Sequence, residues 1–431
     1  MPWLLIGMLL DKEVQQRTGG HVTRRVAGYV ATVAPFGHEM RGEWLLDPDV
    51  VYLNHGTVGA TPRRVLARQR SIQDEIERHP ARFMLRELAD PHATATAPRR
   101  LRVAAAAVAA FVGVDDDELL FVDNITTGVN AVLRSFPFAA GDEIAVTNLG
   151  YGGVVNVARY VSRTTGGALR TIELPSPGAD PADYVDAIAA GLSPRTRVLI
   201  VDHLTSGTAL LLPLAEIAAV CRGRGVLVFG DGAHVPGNVP LDVGALGVDW
   251  YAANLHKWAW APRSCGVLWA APQHRQHLHP TVISWGLDHG VTAEFDLLGT
   301  RDPTPFLTAP FAIDLLGELG GDEGAAAVYR YNHELAWWAG KHLSERWGTR
   351  FTTPEAMIGS MVSVRLPAVF GTTDADTEHL RARLEEAGID VAVLITPDGL
   401  TVRVSAQIYC DRTDIETLAD AVVAASARGV G

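Results

Sequence analysis

The 431-residue chain is poor in cysteine: Cys221, Cys265 and Cys410 are its three. An odd, widely spaced set supplies neither a disulfide framework nor paired metal ligands, and it fits a reducing compartment, read here as the cytoplasm. Residues 1–10 are apolar but too short to span a bilayer. They also lack the basic flank and small-residue cleavage site of a secretory signal. Basic charge is scarce as well. A formal net charge of −12 leaves no positive stripe for nucleic acid, so neither nucleic acid nor membrane is an expected partner. No Gly-x-Gly-x-x-Gly follows the first strand-like run, which argues against a dinucleotide fold, and no Gly-Lys-Ser/Thr follows a glycine loop, which argues against a P-loop. Internal repeats and low-complexity linkers are missing too. Residues 1–37 show no sustained periodicity and read as an extension, disordered or packed, ahead of a main fold that begins near His38.

Hydrophobic content of 48% with 20% charged residues is that of an ordinary globular protein, long enough for a large core. Short apolar runs at 51–53, 119–122, 144–146, 198–201, 226–229 and 247–252 are separated by helical patterns. That rhythm predicts a largely parallel sheet with crossover helices, and 267–269 reads as an antiparallel return strand. Residues 62–112 read as helical, with Thr61 as cap, Pro62 at the first helical position, a buried alanine-rich face at 104–110, and breaks at 79–83 and Pro91. A helix is expected at 213–222 and a long one at 308–347. Strands at 360–365 and 400–405 flanking a helix at 377–387 then suggest a smaller α+β domain.

Two strand ends carry the chemistry. Residues 226–229 run into Gly230-Asp231-Gly232-Ala233-His234, and 247–252 run into Asn254-Leu255-His256-Lys257-Trp258. Open α/β sheets bind ligands beyond the carboxyl ends of their strands, so Asp231 and Lys257 face one crevice. Pyridoxal phosphate chemistry needs that pair: a lysine for the Schiff base and a carboxylate to keep the pyridine nitrogen protonated. Singly, each residue is explained as a surface lysine or a helix cap. Asn124-Ile125-Thr126-Thr127-Gly128 opens a helix whose free amides suit a phosphate, although an ordinary N-cap accounts for it equally well. Tyr151, beside glycines after 144–146, is placed to stack on a flat ring or to plug a core edge. Asn54-His55-Gly56 follows the first strand, where glycine permits close backbone approach to a ligand.

In this order, Asn54-His55-Gly56, Asn124 to Asn130, Tyr151-Gly152, Asp231-Gly-Ala-His234, Asn254-Leu-His256-Lys257-Trp258, Gly299-Thr300-Arg301-Asp302 and Arg403-Val404-Ser405 resemble class V of the fold-type I pyridoxal-phosphate enzymes. More narrowly they resemble its isopenicillin N epimerase-like branch, over roughly residues 38–425. The resemblance implies an α/β fold of the type I transferase kind. Its large domain (38–305, with an N-terminal arm) has a mostly parallel sheet wrapped by helices. A connecting helix and a small α+β domain follow over 306–431. Lys257 would carry the cofactor and shuttle the α proton, and Asp231 would pair with the ring nitrogen. Thr126, Thr127 and His256 would hold the phosphate, and Tyr151 would stack on the ring. Thr205, or Ser206 beside it, would sit near the phenolic oxygen, with His203 and His234 lining the same face. Arg403 would clamp the substrate carboxylate in bidentate fashion, helped by Asn54 and Gly56. Thr300 would reach the phosphate of a partner subunit, implying a homodimer with shared sites. No residue set suggests a metal.

Within the family the reaction stays open in the sequence. Desulfuration needs a nucleophilic cysteine on a mobile loop, whereas Cys221 falls on a helical stretch, Cys265 near a strand and Cys410 after Arg403, which argues against it. Epimerisation needs a second base, for which Tyr151, His203 and water compete. β-Elimination from an S-substituted cysteine, as in relatives of specialised metabolism such as antibiotic biosynthesis, needs one base and a good leaving thiolate. Decarboxylation-coupled oxidative deamination and aminotransfer complete the enzymatic choices. A degenerate scaffold is the non-enzymatic one, and the intact Lys257, Asp231 and Arg403 argue against it.

Overall fold

The computed structural model describes residues 36–89, 99–115, 119–396 and 399–427. Residues 1–35 and the Pro91 break lie outside them. The main sheet has seven strands in the order β2-β8-β7-β6-β5-β3-β4: β2 (Leu119–Val122), β3 (Glu143–Thr147), β4 (Ala168–Ile172), β5 (Thr196–Asp202), β6 (Leu227–Gly232), β7 (Trp250–Asn254) and β8 (Gly266–Ala270). From β7 to β4 every pairing is parallel, and β8 runs antiparallel to both neighbours. Val198, Leu199, Ile200 and Val201 are all buried, as expected of a strand covered by helices on both faces. The alternation of short apolar runs with helical patterns therefore translates directly into this sheet.

A second sheet of order β11-β12-β9 is antiparallel, with β9 (Met361–Arg365), β11 (Ala392–Thr396) and β12 (Gly399–Ser405). The first strand of the chain, β1 (Val51–Tyr52), pairs in parallel with β10 (Ile389–Asp390), and Asn54 bridges Ser405 just beyond it. The N-terminal segment is thus tied to C-terminal strands, and the turn His55–Val58 is delivered beside Arg403.

Two expectations about helices and one about a strand are corrected. Pro62, and not Thr61, is the N-cap of the helix Arg63–Arg78, and the Thr61 hydroxyl points instead to the Ala261 carbonyl at 3.5 Å. That helix stops at His79 because Pro80 follows and disfavours helical backbone at the preceding residue. The single helix expected over 308–347 is two, Thr304–Leu319 and Ala325–Trp347. Gly321 and Gly324 adopt φ of 66° and 58°, and this left-handed backbone ends one helix and starts the next. Likewise β7 starts at Trp250, later than predicted, because Gly247 takes φ of 70°. Among the described residues no helix is long and apolar enough to cross a membrane.

Candidate active site

The order of strands reverses between β3 and β5, which opens a crevice at their carboxyl ends. Asp202 ends β5 and sits in register with Asp231 on β6, so both carboxylates project from one face. Both are nearly inaccessible. Asp231 Oδ1 accepts the Ala233 N–H at 2.9 Å, while Oδ2 is buried and receives no hydrogen bond. Burial pushes the Asp231 carboxyl up to about 6, against the pull of the Ala233 N–H and the Lys257 charge. Burial and the Asp231 charge hold Asp202 well above the usual carboxylate range. An orphaned, buried carboxylate oxygen is costly unless a donor meets it. The protonated nitrogen of a pyridine ring is such a donor, and it would stabilise the ionised form of Asp231.

Lys257 lies in the turn after β7. Its Nζ is 3.2 Å from His234 Nε2, and the indole Nε1–H of Trp258 donates to His234 Nδ1 at 3.4 Å. Burial, followed by the Lys257 charge, keeps the His234 imidazolium strongly disfavoured, so His234 is neutral and its proton sits on Nε2, facing the amine. Burial, reinforced by the Arg403 charge, lowers the Lys257 ammonium to about 8. A buried lysine beside a second cation is a more available nucleophile at neutral pH.

The helix Ile125–Ser135 supplies the anion end. Asn124 caps it, its Oδ1 accepting the Thr127 amide at 3.0 Å, and the Ile125 amide donates to Asn254 Oδ1 at 3.0 Å. The last residue of β7 therefore sets the helix start that Thr126 and Thr127 occupy. A cavity of about 460 Å³ opens there, lined by Asn124, Thr126, Thr127, Asn130, Arg134 and Thr281. The polar lining, the dipole and the hydroxyls match a phosphate. His256 Nδ1 meets the Cys265 backbone at 2.8 Å, and burial lowers its imidazolium to about 4, so it presents a neutral ring.

Arg403, in the middle of β12, is buried. Its guanidinium donates to the Ser206 carbonyl at 2.7 Å, to Ser206 Oγ at 3.3 Å and to Thr57 Oγ1 at 2.8 Å. No carboxylate is among these partners, and its buried Nε has none. Desolvation brings its pKa down to about 10. A cation buried against neutral oxygens is in want of an anion. Asn54 stands behind it: Asn54 Oδ1 accepts from the Thr57 hydroxyl, and Asn54 Nδ2 donates to Asp390 Oδ1 at 2.9 Å. Gly56 donates its amide to Ser405 Oγ at 3.1 Å, and a Cβ there would stand 2.6 Å from Met361 Sδ. Gly59 is more constrained: with φ of 72°, its Cβ would fall 2.1 Å from the His256 carbonyl and 2.9 Å from Lys257 Cα.

The structure thus gathers Asp231, His234 and Lys257 at one place, Thr126 and Thr127 at the anion-suited helix start, and Arg403 beside the segment that carries Gly56. Tyr151 caps the next helix, Gly152–Thr165, with its ring about half exposed. Asn54 acts through Thr57. The Thr205 hydroxyl is engaged inside its own turn, 2.7 Å from Thr208 Oγ1 and accepting the Leu210 amide at 2.8 Å. His203 Nδ1 meets the Tyr251 hydroxyl at 3.0 Å, and by strand alternation the pair lies on the face opposite Asp202 and Asp231. Thr300 is exposed on the loop before Thr304–Leu319. Sequence reasoning missed Asp202, Thr57, His55 and Tyr409. For Asp202 the available signal was its position at a strand end next to that of Asp231.

Comparison with known proteins identifies the family. The class V aminotransferase family model matches residues 51–418. An isopenicillin N epimerase of Streptomyces clavuligerus is 35% identical over 402 residues, covering 89% of this chain and 97% of that protein. A probable chloroplastic L-cysteine desulfhydrase of Arabidopsis thaliana is 31% identical over 405 residues, covering 87% and 83%. Among solved structures, the cystine C–S lyase C-DES, in complex with its product cysteine persulfide, superposes with a TM-score of 0.70 at 22% identity, covering 87% and 97%. With a family match across most of its length and an orphaned carboxylate where the ring nitrogen would sit, the chain belongs to the class V aminotransferase family of pyridoxal-phosphate-dependent enzymes.

Proposed function

We propose that the enzyme cleaves the Cβ–S bond of an S-substituted cysteine by β-elimination, with Lys257 as cofactor anchor and proton carrier. One observation carries this choice: the two histidines that the sequence offers beside the ring do not stand on opposite sides of it as a pair of bases. Lys257 and neutral His234 stand together, whereas His203 is turned to Tyr251. Elimination needs one base and epimerisation two. Pyridoxal phosphate, when bound, supplies the electron sink that weakens the bonds to Cα. Asp231 holds the ring nitrogen, Thr126, Thr127 and His256 hold the phosphate, and Arg403 orients the substrate carboxylate. Lys257 Nζ takes the α proton and the sulfur leaves with the Cβ–S electron pair. Water then converts the three-carbon remainder to pyruvate and ammonia. The likeness to an L-cysteine desulfhydrase supports this chemistry. A cysteine-based desulfurase is disfavoured: all three thiols are buried, and burial pushes Cys221 up to about 12 and raises Cys265 and Cys410 as well.

A second reading, amino-acid epimerisation, is supported by the 35% identity to an isopenicillin N epimerase and by the half-exposed Tyr151 phenol. The two separate in one experiment. The holoenzyme is given an S-alkyl cysteine in D₂O, and pyruvate, thiol and configuration at Cα are followed. Elimination yields equal amounts of pyruvate and thiol. Recovery of deuterated, racemised substrate without thiol would replace it by epimerisation.

The lysine also predicts a pH dependence. Below about 8 its amine is protonated and cannot attack an aldehyde, so the rate of cofactor attachment to apoenzyme should rise about tenfold per pH unit up to that value and then level off. Stopped-flow absorbance between pH 6 and 10 measures this. A rate still climbing at pH 10 would show an ordinary, solvated lysine.

We further infer a homodimer in a reducing compartment such as the cytoplasm. Trp285 is 88% exposed, and Val282, Ile283 and Leu287 are exposed beside it, next to the Thr281 that lines the phosphate cavity. An apolar cluster of this kind marks an association surface. Sedimentation should give a dimer for the wild type and a monomer for Trp285→Glu. A monomeric wild type would refute the dimer.

A further inference from the structure

We infer that His55 is a positioning residue for Lys257, holding its main-chain carbonyl in place through a single imidazole tautomer that Tyr409 enforces. This rests on the assignment of Lys257 made above. His55 is fully buried. Its Nε2 lies 3.0 Å from the Lys257 carbonyl oxygen, and its Nδ1 lies 2.8 Å from the Tyr409 hydroxyl. A carbonyl only accepts, so the proton must be on Nε2. Nδ1 is then bare and accepts from the Tyr409 hydroxyl and from the Ala60 amide at 3.4 Å. Only the neutral Nε2–H form satisfies all three contacts. Burial favours it, lowering the imidazolium to about 4, and burial also keeps Tyr409 a protonated phenol, and hence a donor.

The Lys257 main chain needs such support. It follows the end of β7 in a turn, and the other donor to its carbonyl, the Trp260 amide, is 3.4 Å away. The His55 ring packs on Trp258 with centroids 5.0 Å apart, and Gly59 lies directly on the backbone of His256 and Lys257. The segment 55–59 forms a rigid back wall to the lysine. Tyr409, which anchors that wall, comes from the stretch between β12 and the helix Arg412–Ala427 and is wedged edge-on against Trp44 at 4.9 Å. Residues at opposite ends of the chain thereby set the position of the lysine backbone.

The test compares wild type, His55→Ala, His55→Gln and Tyr409→Phe, measuring three quantities. These are the rate at which the yellow band forms when pyridoxal phosphate is added to apoenzyme, kcat and KM for an S-alkyl cysteine, and the melting temperature. A misplacement on the order of 1 Å can cost roughly 100-fold in rate. His55→Ala should therefore slow band formation and kcat by about tenfold to 100-fold with KM changed less than about twofold. His55→Gln, whose amide N–H can donate to the same carbonyl, should recover most of the loss. Tyr409→Phe should fall between them. Band formation at the wild-type rate in His55→Ala overturns the inference, as does a loss that glutamine does not rescue and that raises KM in proportion. If His55→Ala does not fold, a folded Tyr409→Phe with wild-type rates overturns it equally. A wild type that stays colourless with the cofactor refutes the Lys257 assignment itself.

Discussion

Lys257→Ala should yield a folded protein that stays colourless in pyridoxal phosphate and has lost activity on the order of 10⁴-fold or more. Proton transfer by a positioned side chain is alone worth roughly 10²–10⁴-fold, and this lysine would also provide the covalent attachment that readies the cofactor for substrate. Folding should survive. The amine meets His234 at 3.2 Å, and the main-chain contacts to His55 and Trp260 do not involve it. Circular dichroism, the visible spectrum and pyruvate release on one preparation decide the matter. A yellow variant that borohydride bleaches while fixing the cofactor covalently to the protein would place the anchor on another lysine. Besides Lys257 the chain has Lys12 and Lys341; the described one, Lys341, has its ammonium 4.6 Å over the Trp337 ring on the helix Ala325–Trp347.

Arg403→Ala should raise KM far more than it lowers kcat. Removing one partner of a buried, hydrogen-bonded charge pair costs about 2–5 kcal/mol, equivalent to roughly thirtyfold to several-thousandfold in affinity. Arg403→Lys should recover little, because an ammonium cannot reproduce the planar fork that meets a carboxylate. The contacts to Ser206 and Thr57 are to neutral oxygens, so the guanidinium is held in place without being neutralised, as a substrate-carboxylate site requires. The cofactor spectrum of the substrate-free enzyme should be unchanged. Steady-state kinetics with an S-alkyl cysteine and with the corresponding amine lacking the carboxylate provide the check. If both substrates lose affinity equally on mutation, Arg403 is structural.

Much of this was legible in the chain itself. Parallel strands buried on both faces must be short, continuous apolar runs, and 144–146 and 198–201 announce themselves in that way. The residues at strand ends were equally readable, since a strand of known direction delivers its last residues to one crevice. Asp231, His234 and Lys257 needed only that rule. The edge strand β4 was not legible, because its Ala168-Leu169-Arg170-Thr171-Ile172 is largely accessible and carries no apolar run. The helix Pro181–Gly191 went unread for a related reason, as only Tyr184 and Ile188 on it are buried.

What the sequence alone determined, then, is the fold class and the positions of the residues proposed to carry the chemistry, because both are encoded locally: periodicity within a segment, and a reactive residue type at its end. The tertiary structure decided everything that depends on which distant segments meet. It brought β1 beside β10 and so placed Thr57 against Arg403 and His55 against the Lys257 carbonyl. It turned His203 away toward Tyr251 while setting Asp202 beside Asp231. Apart from the strand-end position of Asp202, these pairings leave no trace in local pattern, because each joins residues many positions apart, and their geometry is fixed by sheet register and by the packing of a shared core.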